Sequence, residues 1–216
     1  MKVHLMNDFG TSTNNKAFFV EAILEMVEFS NREFEIQDLG LWRDVNWQSQ
    51  SYLAPFNSVD WYVTQSFNQA RNQINAQHML ALFACEPWQD GKKHIDLFLT
   101  KKDLFVEGLN YCLGLAVPEL GMTVSYSRFE SMQESLGLEC LKTLTMHEFG
   151  HVLGIVPDYR NIAVEDSLGK HCTNRCLMRQ GMNVQDWVRI TQDRLNGYVL
   201  CDICRNDLMA ISHYVK

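Results

Sequence analysis

The sequence predicts an α/β fold built on a twisted, mostly parallel sheet. A chain of 216 residues, 46% of them hydrophobic, is long enough to enclose one substantial core. Helical and strand-like patterns alternate along the first two-thirds, and strands that are joined by helices lie parallel in one sheet. The sequence contains no repeat, low-complexity tract or linker rich in proline and glycine. We therefore expect one domain, with at most two lobes.

The first elements are two strands and two helices. Lys2 to Asn7 and Glu33 to Leu41 have the length and apolar content of strands. Lys16 to Phe29 is predicted to be an amphipathic helix, because its apolar residues recur at helical spacing. They are Phe19, Ala22, Ile23, Met26 and Val27. Trp42 to Asn57 has aromatic residues without a period and is interpreted as a long surface excursion, and a second helix is predicted from Val59 to Gln77.

Three strands and a long helix follow. The strand-like stretches are His94 to Thr100, Leu109 to Val117 and Met122 to Phe129. The helix from Glu134 to Leu153 ends at Gly154, where a glycine lets the chain turn away from a helix. Beyond it the chain is rich in loops and cysteines, with helices predicted from Val184 to Leu195 and after Cys204. This change predicts an N-terminal α/β subdomain, residues 1–154, and a smaller C-terminal subdomain, residues 155–216.

The charge and the distribution of apolar residues limit the partners of the protein. A net charge of −7 and a pI near 5.5 argue against the dense basic surface that binds nucleic acid or an anionic membrane. No apolar run approaches the roughly 20 residues that span a bilayer. Met1 to Asp8 contains too few apolar positions for a signal peptide. We therefore expect a cytoplasmic monomer that binds neither nucleic acid nor membrane.

One motif near the end of the long helix indicates a metal site. His147-Glu148-Phe149-Gly150-His151 has the His-Glu-x-x-His pattern. Histidines four residues apart lie on one face of a helix, so both imidazoles can reach one ion. Glu148 is close enough to take a proton from a metal-bound water, whose pKa zinc lowers to roughly 7. The preceding turns are apolar, which favours a buried site over a solvated helix face; they carry Leu138, Leu141 and Leu144.

The residues alone do not determine the third ligand of this metal site. A hydrolytic zinc needs three protein ligands and one open position, and the helix provides only two. The third must therefore come from another part of the chain. Asp158 and His171 are the candidates, because carboxylate oxygen and imidazole nitrogen both bind zinc.

The cysteines are unevenly spaced. Four of the seven lie between Cys172 and Cys204, at positions 172, 176, 201 and 204. In a reducing compartment such clustering favours metal ligation over disulfides. Four thiolates in two closely spaced pairs would give the tetrahedral sulfur shell of a structural zinc. The other three, Cys85, Cys112 and Cys140, have apolar surroundings and are interpreted as small buried hydrophobic residues.

This arrangement resembles the archaemetzincin family of metzincin proteases. In that family the helix motif is followed by a His-Cys pair, a further Cys, a Met and later a Cys-x-x-Cys. The corresponding residues here are His171, Cys172, Cys176, Met178, Cys201 and Cys204. The resemblance extends over roughly Leu97 to Leu208, and the spacing of its histidines and cysteines makes it specific.

The resemblance implies a metzincin-like fold, with an edge strand from Leu109 to Val117 over the cleft and a small C-terminal lobe held by zinc. It implies that His171 completes the catalytic site of His147 and His151, and that Met178 packs beneath the metal without binding it. The four clustered cysteines would hold a second, structural zinc. Two zinc ions per chain are therefore expected.

Two departures from the family pattern concern the segment before His171. Pro157 stands where the extended metzincin motif has a histidine, and the whole segment Pro157 to Lys170 precedes His171. In addition, the spacing from Cys172 to Cys176 is one residue shorter than in the family. Asp158 therefore stays the alternative third ligand, since snapalysin-like metzincins use an aspartate after a similar helix end.

The function that these residues predict is zinc-dependent hydrolysis of peptide bonds, with Glu148 as the general base and a peptide or protein as substrate. A catalytically weak or inactive zinc-binding module on the same scaffold is the alternative, because a displaced third ligand could leave the site incomplete. A hydrolase of non-peptide amides would use the same residues. Loss of peptide cleavage in Glu148→Ala, with zinc still bound, would support the peptidase over the inactive zinc-binding module.

Overall fold

The computed structural model of the chain describes residues 1–41, 58–84 and 94–210. Its strands are β1 (Lys2–Asn7), β2 (Glu35–Gly40), β3 (Phe67–Asn68), β4 (Gln73–Asn75), β5 (His94–Thr100), β6 (Leu104–Phe105), β7 (Gly114–Val117), β8 (Gly121–Ser125), β9 (Val164–Asp166) and β10 (Lys170–Cys172). Its helices are α1 (Thr13–Ser30), α2 (Val59–Ser66), α3 (Ala76–Ala84), α4 (Glu134–Val152), α5 (Val184–Leu195) and α6 (Asp202–Ala210). The predicted excursion from Trp42 to Asn57, and Cys85, lie outside the described residues.

The central sheet has five strands in the order β2-β1-β5-β8-β7. β1 pairs in parallel with β2 and with β5, and β5 pairs in parallel with β8. β7 runs antiparallel to β8 and forms one edge of this sheet. The predicted mostly parallel sheet is confirmed, and so is the edge strand, although it is shorter than the predicted Leu109 to Val117.

Helices cover both faces of this sheet, as the alternation of side chains along β5 shows. Ile95, Leu97 and Leu99 belong to the core that α1 and α4 complete on one face. Phe98 belongs to a second core, which α2 and α3 complete on the other face. Because successive side chains of a strand point to opposite faces, His94 and Asp96 share the face of Phe98. The result is a three-layer arrangement with a strand buried along its whole length at the centre.

The predicted helix from Val59 to Gln77 is wrong in its second half. The helix ends at Ser66, and a hairpin of β3 and β4 separates it from α3. Asn72 adopts a left-handed conformation, with φ of 54°, and makes the turn. Ile74 then pairs in parallel with Leu104, so strand pairing with a distant segment overrides the local helical spacing.

The C-terminal part is folded more regularly than predicted. α5 occupies the predicted range, Val184–Leu195, and its N-cap Asn183 accepts backbone hydrogen bonds from Gln185 and Asp186. The antiparallel hairpin of β9 and β10 was not predicted. Its strands are only three residues long, too short for a periodic pattern. Residues of this part, including Leu177 and Trp187, belong to the same buried cluster as the β1 residue Val3.

The helices of the described ranges are too short or too polar to cross a lipid bilayer.

Candidate active site and metal centres

Three histidines from two elements converge at one point. His147 and His151 lie one turn apart near the end of α4, with their Nε2 atoms 3.2 Å apart. β10 brings His171 against them, with its ring stacked on that of His147 at a centroid distance of 5.3 Å. One nitrogen of each histidine lies within 4.8 Å of the others. We call His147, His151 and His171 the three-histidine cluster.

Backbone carbonyls orient the rings of this cluster. Nδ1 of His147 lies 2.9 Å from the carbonyl oxygen of Leu177, and Nδ1 of His171 lies 3.0 Å from that of Gly169. His151 makes a backbone hydrogen bond with Ile155. A neutral imidazole that donates through Nδ1 keeps a lone pair on Nε2, the tautomer that binds a metal.

The electrostatics of the three-histidine cluster favour neutral rings. Burial and the neighbouring His171 lower the pKa of His147 to about 3, and burial also lowers the pKa values of His151 and His171. Two facing lone pairs at 3.2 Å repel each other unless a cation lies between them. Bonds of about 2.0–2.2 Å in tetrahedral geometry place donor atoms about 3.3–3.6 Å apart, so this spacing is close to the lower limit for a zinc site.

Glu148 is buried beside the three-histidine cluster. Glu148 is 8% exposed, and burial raises the pKa of its carboxyl group to about 8. The edge strand β7 passes directly over this carboxylate: a Cβ built on Gly114 would lie 2.5 Å from Oε1 of Glu148. Only a residue without a side chain allows this approach, so Gly114 helps to define where the carboxylate lies.

A cleft of about 680 Å³ opens in front of these residues. Its lining includes the edge strand β7, the three histidines, Glu148 and Trp187. The indole ring of Trp187 is perpendicular to that of His147 at a centroid distance of 5.0 Å. Its Nε1 is buried and has no hydrogen-bond partner among the described residues. The volume is that of a typical small-molecule or peptide site.

Met178 packs beneath the helix that carries the motif. A Cβ built on Gly150 would lie 2.6 Å from the sulfur of Met178, so the glycine between Glu148 and His151 makes room for this methionine. Met178 is fully buried.

The four clustered cysteines form a second group, which we call the four-cysteine cluster: Cys172, Cys176, Cys201 and Cys204. Their sulfur atoms lie within 4.8 Å of one another, and those of Cys172 and Cys201 are 3.7 Å apart. This separation is far longer than a disulfide bond, which is about 2.05 Å. It matches the roughly 3.8 Å edge of a tetrahedron with Zn–S bonds of about 2.3 Å.

Four thiols at this spacing cannot all ionise without a cation. Hydrogen bonds from Cys176 and Cys204 lower the pKa of Cys172, whereas Cys172 raises the pKa of Cys176 to about 12. Asn174 and the backbone N–H of Cys201 donate to sulfur atoms of this cluster. The donor set and its spacing fit a zinc ion held by four thiolates.

Arg160 connects the four-cysteine cluster to residues 157–170, the segment that the family resemblance implies is an insertion before His171. Its guanidinium is buried and donates hydrogen bonds to the sulfur atoms of Cys172 and Cys204, each at 3.2 Å. It also donates to Asp207 at 2.8 Å and to the carbonyl oxygens of Ile162 and Ala163. A positive charge beside the sulfur atoms stabilises their ionised form.

Comparison with known proteins identifies the family. No family profile matches the sequence. The archaemetzincin of Archaeoglobus fulgidus is 30% identical over 141 residues, which span 64% of this chain and 72% of that protein. The chain belongs to the archaemetzincin family.

Solved structures agree with this archaemetzincin membership at the level of the fold. The archaemetzincin of Methanopyrus kandleri matches with a TM-score of 0.69 at 20% identity, over 99% of this chain and 96% of that one. A zinc-dependent peptidase from Methanocorpusculum labreanum matches with a TM-score of 0.60 at 18% identity, over 95% and 99%. The β9–β10 hairpin of this archaemetzincin folds the inserted segment back, so that His171 reaches the motif helix.

The structure places the two candidate third ligands differently. His171 is buried in the three-histidine cluster, whereas Asp158 is exposed at the cleft and lies outside that group. Lys170 donates to the carbonyl oxygens of Asp158 and Arg160, which holds the backbone of the insertion against β10.

Three residues of the site were missed by reasoning from the sequence. Gly114 and Trp187 have no local signal, because their importance depends on what packs against them. Arg160 follows Tyr159 in the insertion and resembles any surface arginine in the sequence. An arginine a short distance before the first of the clustered cysteines is a signal that could have been used, since thiolate clusters attract cationic donors.

Proposed function

We propose that this protein is a zinc-dependent peptidase whose zinc is held by His147, His151 and His171. The observation that carries the proposal is the convergence of three neutral imidazoles beside a buried carboxylate in an open cleft. The zinc-dependent peptidase among the structural neighbours supports the proposed activity. Asp158, exposed and outside the cluster, becomes the less favoured third ligand.

Zinc bound there would polarise the substrate carbonyl and make a water molecule more acidic. The chain provides the proton transfers. Glu148 takes the proton of the attacking water on its carboxylate and then gives it to the leaving amine. Burial favours the protonated form of this group and a nearby cation favours the ionised form, so the two effects oppose each other. A group balanced in this way can both accept and donate a proton near neutral pH.

The edge strand β7 would orient the substrate. It pairs on one side with β8 and lines the cleft on the other. An extended peptide can pair with the free edge of such a strand through backbone hydrogen bonds. Backbone pairing aligns the scissile bond with the cluster and makes little distinction between side chains, which predicts affinity for peptides with modest sequence selectivity.

The decisive test replaces the carboxylate and keeps the metal ligands. We expect Glu148→Gln to lower kcat/KM for fluorogenic peptides by about 10²–10⁴-fold, because the proton acceptor is lost. Zinc content, measured by mass spectrometry of the purified protein, should stay at the wild-type value. The matched control is Glu134→Gln, which changes an exposed glutamate at the start of the same helix and should leave activity unchanged.

Two results would contradict the proposal. Cleavage by Glu148→Gln at the wild-type rate would remove Glu148 from the mechanism. Failure of the wild-type, zinc-loaded protein to cleave any member of a broad peptide library would favour the inactive zinc-binding module instead.

The four-cysteine cluster would hold a second, structural zinc, giving two zinc ions from these two clusters. Its closed set of four ligands leaves no position for a substrate. Its position supports a role in folding the C-terminal lobe, because it joins β10 to α6.

The remaining proposals concern organisation and location. Residues 1–154 and 155–216 would act as two subdomains that share one core and enclose the cleft between them. We keep a cytoplasmic location as part of the proposal, because clustered cysteines that bind a metal are typical of a reducing compartment. We retain the expectation of a monomer, which size-exclusion chromatography with light scattering would test. We also retain the expectation that the protein has no nucleic-acid partner.

A further inference from the structure

A third group of side chains that could hold a metal ion lies on the central sheet, away from the cleft. It consists of His4 on β1 with His94 and Asp96 on β5, and we call it the sheet cluster. None of these residues lines the cleft. One nitrogen or oxygen atom from each of the three side chains lies within 4.8 Å of the others, as in the three-histidine cluster.

The strand register produces this arrangement. His4 and Asp96 are directly paired residues on neighbouring parallel strands. Residues paired in this way project from the same face of a sheet, and His94, two positions before Asp96, projects from that face as well. β5 is bounded by β1 on one side and by β8 on the other, so the backbone that holds His94 and Asp96 is rigid. The ligand geometry is therefore formed by the fold itself.

The distances within the sheet cluster fit shared coordination better than direct hydrogen bonds. Nδ1 of His4 lies 3.5 Å from Oδ1 of Asp96, and Nε2 of His94 lies 3.4 Å from Oδ2. Charge-assisted hydrogen bonds between such groups are about 2.7–2.9 Å long. Donor atoms around a tetrahedral zinc, with bonds of about 2.0–2.2 Å, are about 3.3–3.6 Å apart.

The electrostatics also favour a cation at this position. Asp96 is 0% exposed, and a divalent cation stabilises an ionised carboxylate in such a place. The rings of His4 and His94 stack beside this carboxylate, with centroids 4.3 Å apart. One divalent cation between the three side chains compensates the carboxylate and uses both imidazoles as neutral ligands.

We propose that His4, His94 and Asp96 bind a divalent transition-metal ion, with zinc the best match to two imidazoles and one carboxylate. The side chain of His4 is 14% exposed, which leaves a route for the ion and for a water as fourth ligand. The ion would join the N-terminal strand β1 to the central strand β5. Its role would be structural, since the cleft and Glu148 are elsewhere. The site does not depend on the peptidase activity.

The test counts metal ions in the intact protein with and without one ligand. His4→Gln removes the most exposed of the three ligands and is the variant expected to fold. The matched control is His78→Gln, which changes an exposed histidine outside the sheet cluster. Each protein is equilibrated with buffered zinc that saturates the three-histidine cluster, and bound zinc is measured by mass spectrometry.

We expect His4→Gln to bind one zinc ion fewer than wild type and His78→Gln to bind the full number. Zinc should raise the melting temperature of wild type more than that of His4→Gln, while peptide cleavage stays within about twofold. Anomalous scattering at the zinc edge from wild-type crystals should show a peak between the three side chains. Equal zinc content in wild type and His4→Gln, or no anomalous peak at the sheet cluster, would overturn the proposal. The crystal measurement decides the question even if His4→Gln does not fold.

Discussion

The three-histidine cluster and the four-cysteine cluster meet in one strand, yet they differ in chemistry and surroundings. His171 and Cys172 are consecutive residues of β10, and their side chains project to opposite sides. The three-histidine cluster has neutral donors, faces the cleft and lies beside a carboxylate. The four-cysteine cluster has thiol donors that would be anionic with zinc bound, is closed by a fourth ligand and lies beside Arg160. An open neutral site favours exchange of water and substrate, whereas a closed anionic site favours permanent retention of its ion.

The largest expected effect comes from removing a ligand of the four-cysteine cluster. Cys204→Ser should remove the structural zinc and lower the free energy of unfolding by more than about 4 kcal/mol, because the metal and its ligands stabilise the lobe together. Denaturant titration would measure the free energy of unfolding, and mass spectrometry would measure the zinc content. Cys140→Ser, at a buried cysteine outside the cluster, is the control and should keep the full zinc content. A similar loss of zinc in both variants would show that the cysteines do not form one site.

A smaller effect is expected from removing the cation beside the thiolates. Arg160→Met keeps much of the apolar side chain but removes the guanidinium that donates to Asp207 and to two sulfur atoms, while Asp207 keeps the backbone N–H of Val156. We expect destabilisation of about 3 kcal/mol and faster transfer of one zinc to a colorimetric chelator. Arg175→Met removes an exposed arginine that pairs with Asp193 and should change little. Equal chelation rates in Arg160→Met and wild type would argue against a role of Arg160 at the thiolates.

Catalysis at the three-histidine cluster should respond to a substitution that leaves its three ligands intact. Gly114→Ala places a methyl group against Glu148, and the flexible end of that side chain must move away. We expect kcat to fall by about 10²-fold, the effect of misplacing a catalytic group by roughly 1 Å. Zinc content and the melting temperature should stay close to wild type. Wild-type kcat in Gly114→Ala would show that the carboxylate does not need the position seen in the structure.

The smallest effect is expected at Trp187. Trp187→Phe retains an aromatic ring against His147 and removes the buried Nε1 donor at the cleft. We expect KM for peptides to rise by a few-fold with kcat unchanged, because the smaller ring fills less of the wall of the cleft that Trp187 lines. Steady-state kinetics separates the two constants. A fall in kcat with KM unchanged would instead assign the indole to the orientation of His147.

The contrast between these regions also shows what the sequence can predict. The ligands on α4 follow from helical spacing alone, and the helix itself was predicted almost to its ends. The pairing of Cys172 and Cys176 with Cys201 and Cys204 followed from local spacing and from the family resemblance. Both signals reside in short stretches of sequence, where one element determines the relative positions of the side chains.

Other features depend on contacts between distant segments and could not be predicted in this way. The close approach of Gly114 to Glu148 requires the position of β7 relative to α4. The hairpin of β3 and β4 forms because Ile74 pairs with Leu104, although the local spacing favours a helix. The sheet cluster requires the register of β1 against β5, which no single strand encodes.

The adjacency of His171 and Cys172 has a consequence for how an active enzyme would arise during synthesis. Before the C-terminal lobe closes, the chain has two histidines on a helix and no fixed third ligand. Leu177, next to Cys176, also supplies the carbonyl oxygen that orients His147. Binding of zinc by the four-cysteine cluster would therefore bring His171 into the three-histidine cluster. A newly made chain would become able to hydrolyse peptides only after this step.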